Sequence, residues 1–216
     1  MSRLIVVRHA ESHLNFQNRI QGHKDSELTK KGLRQARSLA RRLKNFHIDK
    51  IYTSDLGRAY TTTVEITRHL KKPIVRDPRL REIHLGDWEG MTPEEVDKLY
   101  DEGYKKWLKK PSGCFIPNSE KISHFRKRIT SRVREIAQQN EGKTVLIVTH
   151  GGAITALLAD WLKADFDTLI LHLQLDNTSL TIAHETEKHL RLMAINDTAH
   201  LTAKDRLEHT VFSTKK

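Results

Sequence analysis

The sequence predicts an α/β fold with three layers, α/β/α, around a mostly parallel central sheet that carries one antiparallel edge strand. Three observations predict it. Short aliphatic runs alternate with helix-length amphipathic segments, the pattern of parallel strands joined by crossover helices. Two runs, LIVV at 4–7 and VLIV at 145–148, are continuously apolar, which suits central strands buried on both faces. Near the C-terminus only a short polar turn separates two strand-like segments, and such a hairpin sets one strand antiparallel.

The elements follow in order. Residues 4–7 form a buried strand. Residues 28–46 form a helix, because Leu33, Ala36, Leu39, Ala40 and Leu43 recur at helical spacing and Thr29 is placed to cap it. Residues 48–53 are a short strand. Residues 56–70 read as a helix despite the β-branched Thr61-Thr62-Thr63-Val64, since Ala59, Val64, Ile66 and Leu70 keep one face apolar. Pro73 stops it, and Ile74-Val75 begins another short strand. Thr92-Pro93-Glu94-Glu95 opens a helix running toward Leu108, proline being well tolerated in a first turn. Residues 111–118, with two prolines and a glycine, form a loop. Residues 119–139 are helical, TVLIV at 144–148 is the second strongly buried strand, and 152–162 is an apolar helix with Trp161 in the core. Residues 179–183 and 190–195 are two strands joined by the polar turn HETEKH at 184–189.

A chain of 216 residues is long enough for one domain, 1–216, with a sizeable core. With 37% hydrophobic and 30% charged residues, it reads as soluble and heavily solvated. No stretch approaches the ~20 apolar residues of a membrane span, so no membrane partner is expected. The opening MSRLIVV lacks the zones of a signal peptide. The single cysteine, Cys114, excludes an internal disulfide and a cysteine-based metal cluster. Together these give the expectation of a cytoplasmic protein.

The formal net charge of +11 favours anionic partners. Residues 30–44 concentrate it: Lys30, Lys31, Arg34, Arg37, Arg41, Arg42 and Lys44 share that segment with no acid. They fall on the outer face of the predicted helix. No nucleic-acid motif or aromatic interleaving accompanies them, so they read as a solvated face, and no nucleic-acid partner is expected.

Ligands of open α/β sheets bind beyond the carboxyl ends of the strands. LIVV ends there in Arg8-His9, and VLIVT ends in His150-Gly151-Gly152. One such histidine would be an ordinary structural residue; two matched exits point to a site. YTSDLGRAYTT (52–62) adds Arg58 in the first turn of a helix after a strand, and RLREIHLGDWEG (79–90) adds Glu82 in a non-periodic loop. Two arginines clamp a phosphoryl group through charge-assisted hydrogen bonds, and the N–H groups of the helix starting near Gly151 add anion affinity. A neutral imidazole is a nucleophile toward phosphorus, and neighbouring cations keep it neutral. A glutamate facing a phosphate dianion holds a proton that the leaving alkoxide needs.

These residues resemble the histidine phosphatase superfamily, phosphoglycerate mutase-like branch, over nearly the whole chain. Arg8-His9-Ala10-Glu11 matches its Arg-His-Gly-Glu signature with Ala in the third place, followed by Ser12 and Asn15. Tyr52-Thr53-Ser54 with Arg58-Ala59 looks like its second phosphate arm, Leu80-Arg81-Glu82-Ile83 with Gly86-Asp87-Trp88-Glu89-Gly90 like its proton-donor loop, and Thr149-His150-Gly151-Gly152 like its second histidine. The resemblance implies that His9 is the phosphorylated nucleophile, that Arg8, Arg58 and His150 hold the phosphoryl group, and that Glu82 is general acid and then base. It also implies that Asn15, Gln21, Gly22 and the Gly151 backbone line the phosphate pocket, with no metal and no cofactor. A small helical lid, about residues 91–125, is expected to cover the site.

Other readings were weighed on the same residues. His9, Glu11 and His13 read H-x-E-x-H, but the zinc-protease order puts Glu directly after the first His, and this segment follows a strand. HETEKH reads as solvated, Trp88 and Trp107 as core or lid packing, and Cys114 as incidental. The expected activity is phosphomonoester hydrolysis of small phosphorylated metabolites. The alternatives are a phosphoglycerate mutase, a phosphatase specific for phosphoserine or α-ribazole phosphate, and, last, a non-catalytic phosphate-binding module. The donor loop EIHLGDWEG resembles the phosphatases, whereas Leu85 directly before Gly86, with His84 one place earlier, departs from the phosphoserine enzymes. A homodimer is left open.

Overall fold

The computed structural model describes residues 2–185 and 190–206. Most of the HETEKH turn therefore lies outside the described residues. Six strands form one sheet: β1 (Arg3–Arg8), β2 (Lys50–Thr53), β3 (Ile74–Arg76), β4 (Thr144–Thr149), β5 (Leu180–Glu185) and β6 (Leu190–Asp197). Their spatial order is β3-β2-β4-β1-β5-β6. The β1–β4, β4–β2 and β2–β3 pairs are parallel, while β5 runs antiparallel to β1 and β6 antiparallel to β5. The antiparallel edge is thus a whole hairpin, and the sheet is otherwise parallel as the sequence predicts.

Eight α-helices flank the sheet among the described residues: α1 (His13–Phe16), α2 (Lys30–Leu43), α3 (Gly57–Thr67), α4 (Pro93–Leu99), α5 (Gly103–Lys109), α6 (Ile122–Gln139), α7 (Gly151–Leu162) and α8 (Phe166–His172). Side chains of a strand alternate between faces. Ile5, Val7, Leu146 and Val148 accordingly pack against α2 and α3. Leu4, Val6, Val145 and Ile147 join the opposite core with α6 and α7. Both central runs are fully buried, which is why they carry no polar alternation.

Thr29 caps α2 by accepting from the Gly32 N–H at 2.9 Å. The basic face of α2 is more than solvated: Arg34 pairs with Asp205 at 3.1 Å and Arg42 with Asp197 at 2.8 Å, which fastens the end of β6 and the chain after it to the helix.

The structure departs from the sequence reading in several further places, among them the short helix α1. The helix expected from 92 toward 108 is two helices, α4 and α5, because Asp101 and Glu102 take left-handed backbone conformations, φ 48° and 56°. The break lets Tyr104 and Trp107 turn inward against Trp88. A Cβ on Gly103 would lie 2.8 Å from the Trp88 ring, so glycine follows the break. Helix α8 was not anticipated; Asp165 caps it by accepting from the Thr168 N–H at 2.8 Å. Trp161 is only partly buried at the core margin, not a core residue. No described helix is long and apolar enough to cross a membrane.

Candidate active site

β1 and β4 are in parallel register with Arg8 opposite Thr149, so the next residues, His9 and His150, leave the sheet together. The His9 N–H donates to the Thr149 carbonyl at 2.9 Å, and the two rings meet edge-on with centroids 5.1 Å apart. His9 Nδ1 lies 2.8 Å from the Ala10 carbonyl. A carbonyl only accepts, so Nδ1 carries the hydrogen and Nε2 keeps its lone pair. Arg58 Nε donates to that nitrogen at 3.3 Å. Burial first, then the charges of Arg58 and Arg8, lower the His9 pKa well below 6.5.

Arg58 is almost wholly buried and anchored on every side. Nη2 donates to the Gly22 carbonyl at 2.7 Å, and Nη1 to the Lys24 carbonyl at 3.0 Å and to Asp25 at 3.2 Å. Asp25 also accepts from the N–H groups of Gly57 and Arg58, standing in for the missing side-chain cap of α3. The 21–25 loop is held in turn by Glu89, whose carboxylate accepts from His23 N at 2.7 Å, Lys24 N at 2.8 Å and Leu85 N at 2.9 Å. Gly22 has φ +53°, and a Cβ there would lie 2.0 Å from Glu89 Oε1, so only glycine fits.

Glu82 accepts from the Gly152 N–H at 2.9 Å, at the start of α7, and from the Ile83 N–H at 3.0 Å. Burial nevertheless raises its pKa above the ordinary 4.5. The donor loop is pinned beneath it: Thr149 Oγ1 donates to the Leu80 carbonyl at 2.7 Å, and Arg128 Nη2 to the Glu82 carbonyl at 3.1 Å. Arg8 donates Nη1 to the Leu175 carbonyl. Ser12 Oγ lies 3.1 Å from the Asn15 amide oxygen and 2.8 Å from that of Gln21, and its one hydrogen serves one of them at a time.

Arg8, His9, Arg58 and Glu82 line one cavity of about 240 Å³, and Asn15, Gln21, Gly22 and Gly151 line it too. His150 is the exception. It lies behind His9, fully buried, with Nε2 2.8 Å from Ser54 Oγ and Nδ1 lacking a protein partner. Burial, then Arg58, holds its pKa well below 6.5. Glu11 and His13 are not gathered here: Glu11 accepts from Thr29 Oγ1 at 2.6 Å and His13 is exposed.

The model of the histidine phosphatase superfamily (branch 1) matches residues 4–198. The chain belongs to that superfamily. Phosphoserine phosphatase 1 of Hydrogenobacter thermophilus is 32% identical over 201 residues, covering 93% of this chain and 95% of that protein. Among solved structures, Bacillus stearothermophilus YhfR superposes with a TM-score of 0.88 at 34% identity, covering 93% of this chain and 99% of that one. The phosphoserine phosphatase of Entamoeba histolytica, in complex with 3-phosphoglyceric acid, gives 0.83 at 34% identity, covering 94% and 100%. Membership and these relatives mark the chain as a phosphoric monoester hydrolase.

As a histidine phosphatase, the chain also has parts that its sequence did not single out. Asp25 and Glu89 brace Arg58 and the 21–25 loop. Asn177 Nδ2 donates to the His9 carbonyl at 2.9 Å, and the Thr178 N–H to the Arg8 carbonyl at 3.0 Å. Thr178 has φ 59°, rare for a β-branched residue; this tight turn presents both donors to the end of β1. Glu89 lies in the loop at 79–90, where the sequence alone gives it no role. No periodicity or motif marks Asn177.

Proposed function

We propose that this chain is a metal-independent phosphomonoester hydrolase that works through a phosphohistidine on His9, with Glu82 as proton donor, on small phosphorylated metabolites. The observation that carries the reading is the His9 Nε2 lone pair, facing Arg58 at 3.3 Å in a cavity that also holds Arg8 and Glu82. Nε2 attacks phosphorus while the bond to the leaving oxygen breaks, and Glu82 gives that oxygen its proton. Glu82 then takes a proton from water, whose oxygen attacks the phosphohistidine, frees Nε2 and releases inorganic phosphate. Arg8 and Arg58 hold the transferring group, with Asn15, Gln21, Gly22 and Gly151 around it and His150 braced behind the nucleophile. Burial disfavours both arginine charges and nearby carboxylates, Glu82 among them, offset it only in part, so a phosphate dianion is a favourable partner for both. The side chains supply cations that metal ions provide in other phosphoryl-transfer sites. The single cysteine supports a cytoplasmic location as part of the same reading.

Hydrolysis is favoured over mutase chemistry by the donor loop EIHLGDWEG and by the phosphatase names of two of the relatives above. The deciding experiment is a screen of phosphorylated metabolites that includes 3-phosphoglycerate, phosphoserine and α-ribazole phosphate, scoring phosphate release and isomerisation separately. Isomerisation without phosphate release would replace the hydrolase reading with the mutase.

A further inference from the structure

We propose that the leaving-group half of the cavity selects alcohols with an uncharged, apolar body, an inference that rests on the phosphatase reading. The cavity is divided chemically. Its committed cations, Arg8 and Arg58, stand at His9. Beyond Glu82 the wall is Leu85 from the donor loop, Trp107 and Phe125 from the lid side, and Phe166, Ile170 and Leu173 from α8 and the chain after it. No lysine belongs to the described lining. Its third arginine, Arg19, is already bound to Glu95 at 2.8 Å and to the Gly90 carbonyl at 2.7 Å. His172, the remaining imidazole, is exposed.

Apart from the exposed His172, a leaving group that carries a carboxylate would meet only uncharged polar side chains here, Thr155 and Gln174, and would stand beside Glu82. Moving an ionised group into such surroundings is costly. An aromatic or aliphatic body would instead bury its surface on these apolar side chains, all but Leu173 buried themselves, which is favourable roughly in proportion to area. At about 240 Å³, the cavity has room for such a body beside the phosphate.

The wall is also preformed. The Arg126 guanidinium lies over the Phe166 ring at 5.3 Å, and that of Arg128 over the Phe125 ring at 5.3 Å. The lid is clasped to α8 by Ser112, whose N–H and hydroxyl donate to the two Asp167 carboxylate oxygens at 2.9 and 2.6 Å. A wall held in this way needs little ordering when the substrate arrives.

The test compares kcat/KM for 2-phenylethyl phosphate, O-phosphoserine and 3-phosphoglycerate, whose leaving groups are all alkyl alcohols, so leaving-group reactivity does not dominate the comparison. 2-Phenylethyl phosphate should lead by roughly tenfold or more, the scale expected for burying one aromatic ring. 2-Phenylethylphosphonate, which cannot be hydrolysed, should inhibit competitively and more tightly than inorganic phosphate. Leu173→Lys, at a half-buried wall position, should lower the phenylethyl rate and raise the phosphoserine rate. Equal or reversed preference in the native enzyme would overturn the inference while leaving the phosphatase reading intact, and so would a Leu173→Lys variant with an unchanged ratio. Failure to hydrolyse any phosphomonoester, p-nitrophenyl phosphate included, would instead remove the phosphatase reading and this inference with it.

Discussion

Arg58 Nε points its hydrogen at His9 Nε2 from 3.3 Å, so the atom proposed to attack phosphorus is held by a cation in the resting enzyme. Opposite it, His9 Nδ1 donates to the Ala10 carbonyl. The ring is therefore fixed in tautomer and orientation before any substrate binds. Attack requires Nε2 to exchange this N–H for phosphorus, and the freed guanidinium is then beside the oxygens of the transferring group.

Replacing that nucleophile is the most direct check. His9→Ala should cut turnover of p-nitrophenyl phosphate by a factor on the order of 10⁴ or more, the scale of nucleophile loss in other enzymes. Native turnover should persist in chelator. A rapid alkaline quench with labelled substrate should trap phosphate on the native protein and none on the variant. Substantial activity in His9→Ala would sink the assignment.

Glu82→Gln separates proton donation from binding. The variant should slow alkyl phosphates by roughly 10²–10⁴, the usual range for general acid–base catalysis, and p-nitrophenyl phosphate far less, because nitrophenolate leaves without a proton. Equal losses would argue against the acid role.

The pH profile follows from the two shifts. His9 must be unprotonated to attack, and burial with two arginines lowers its pKa well below 6.5. The acid limb of kcat/KM should therefore lie below the ordinary histidine range. Glu82 must carry its proton, and burial raises its pKa above 4.5, so the rate should decline as pH rises through that raised value. Glu82→Gln should remove the alkaline limb and keep the acid one; an alkaline limb unchanged in that variant would assign it to another group.

Much of this was legible in the sequence because it is written in local patterns. Continuous aliphatic runs announce buried strands, and a charged group directly after such a run marks the carboxyl edge where Arg8, His9 and His150 emerge. Arg58 and Glu82 were found by their places after a strand and before a Gly-flanked turn. What stayed hidden depends on contacts distant in sequence. Asn177 reaches His9 only because β5 pairs with β1, and the apolar wall from α8 meets the lid only in three dimensions. The break between α4 and α5 was masked because Val96, Tyr104 and Trp107 keep an apolar spacing through it.

Asn177 is a positioning residue, and its loss should show as such. Asn177→Ala leaves the buried His9 carbonyl without its side-chain donor, at a cost of about 1–3 kcal/mol of stability. Measured well below the melting temperature, kcat should fall by roughly 10–100-fold, the scale of a small misplacement of a reacting group, with KM little changed. A rise in KM at constant kcat would mean that Asn177 serves binding rather than placement of the nucleophile.

His200 makes stability pH-dependent away from the site. Burial, with a smaller contribution from Arg42, lowers its pKa from 6.5 to about 4. Between those values the unfolded chain binds a proton that the folded chain refuses, so stability falls as pH drops from 6.5 toward 4. Thermal unfolding should show a shallower decline over this window in His200→Gln. An identical slope would place the acid sensitivity elsewhere.

Arg8 and Thr149 are register partners, so the two histidines stand side by side although most of the chain lies between them. Side chains alternate along a strand, and one residue inserted or deleted in β1 or β4 would turn the following apolar row to the wrong face and carry a histidine out of line. The paired strands act as a reading frame for the two histidines. Changes of length should be lethal to activity within VVRH or IVTH even when every residue type is preserved.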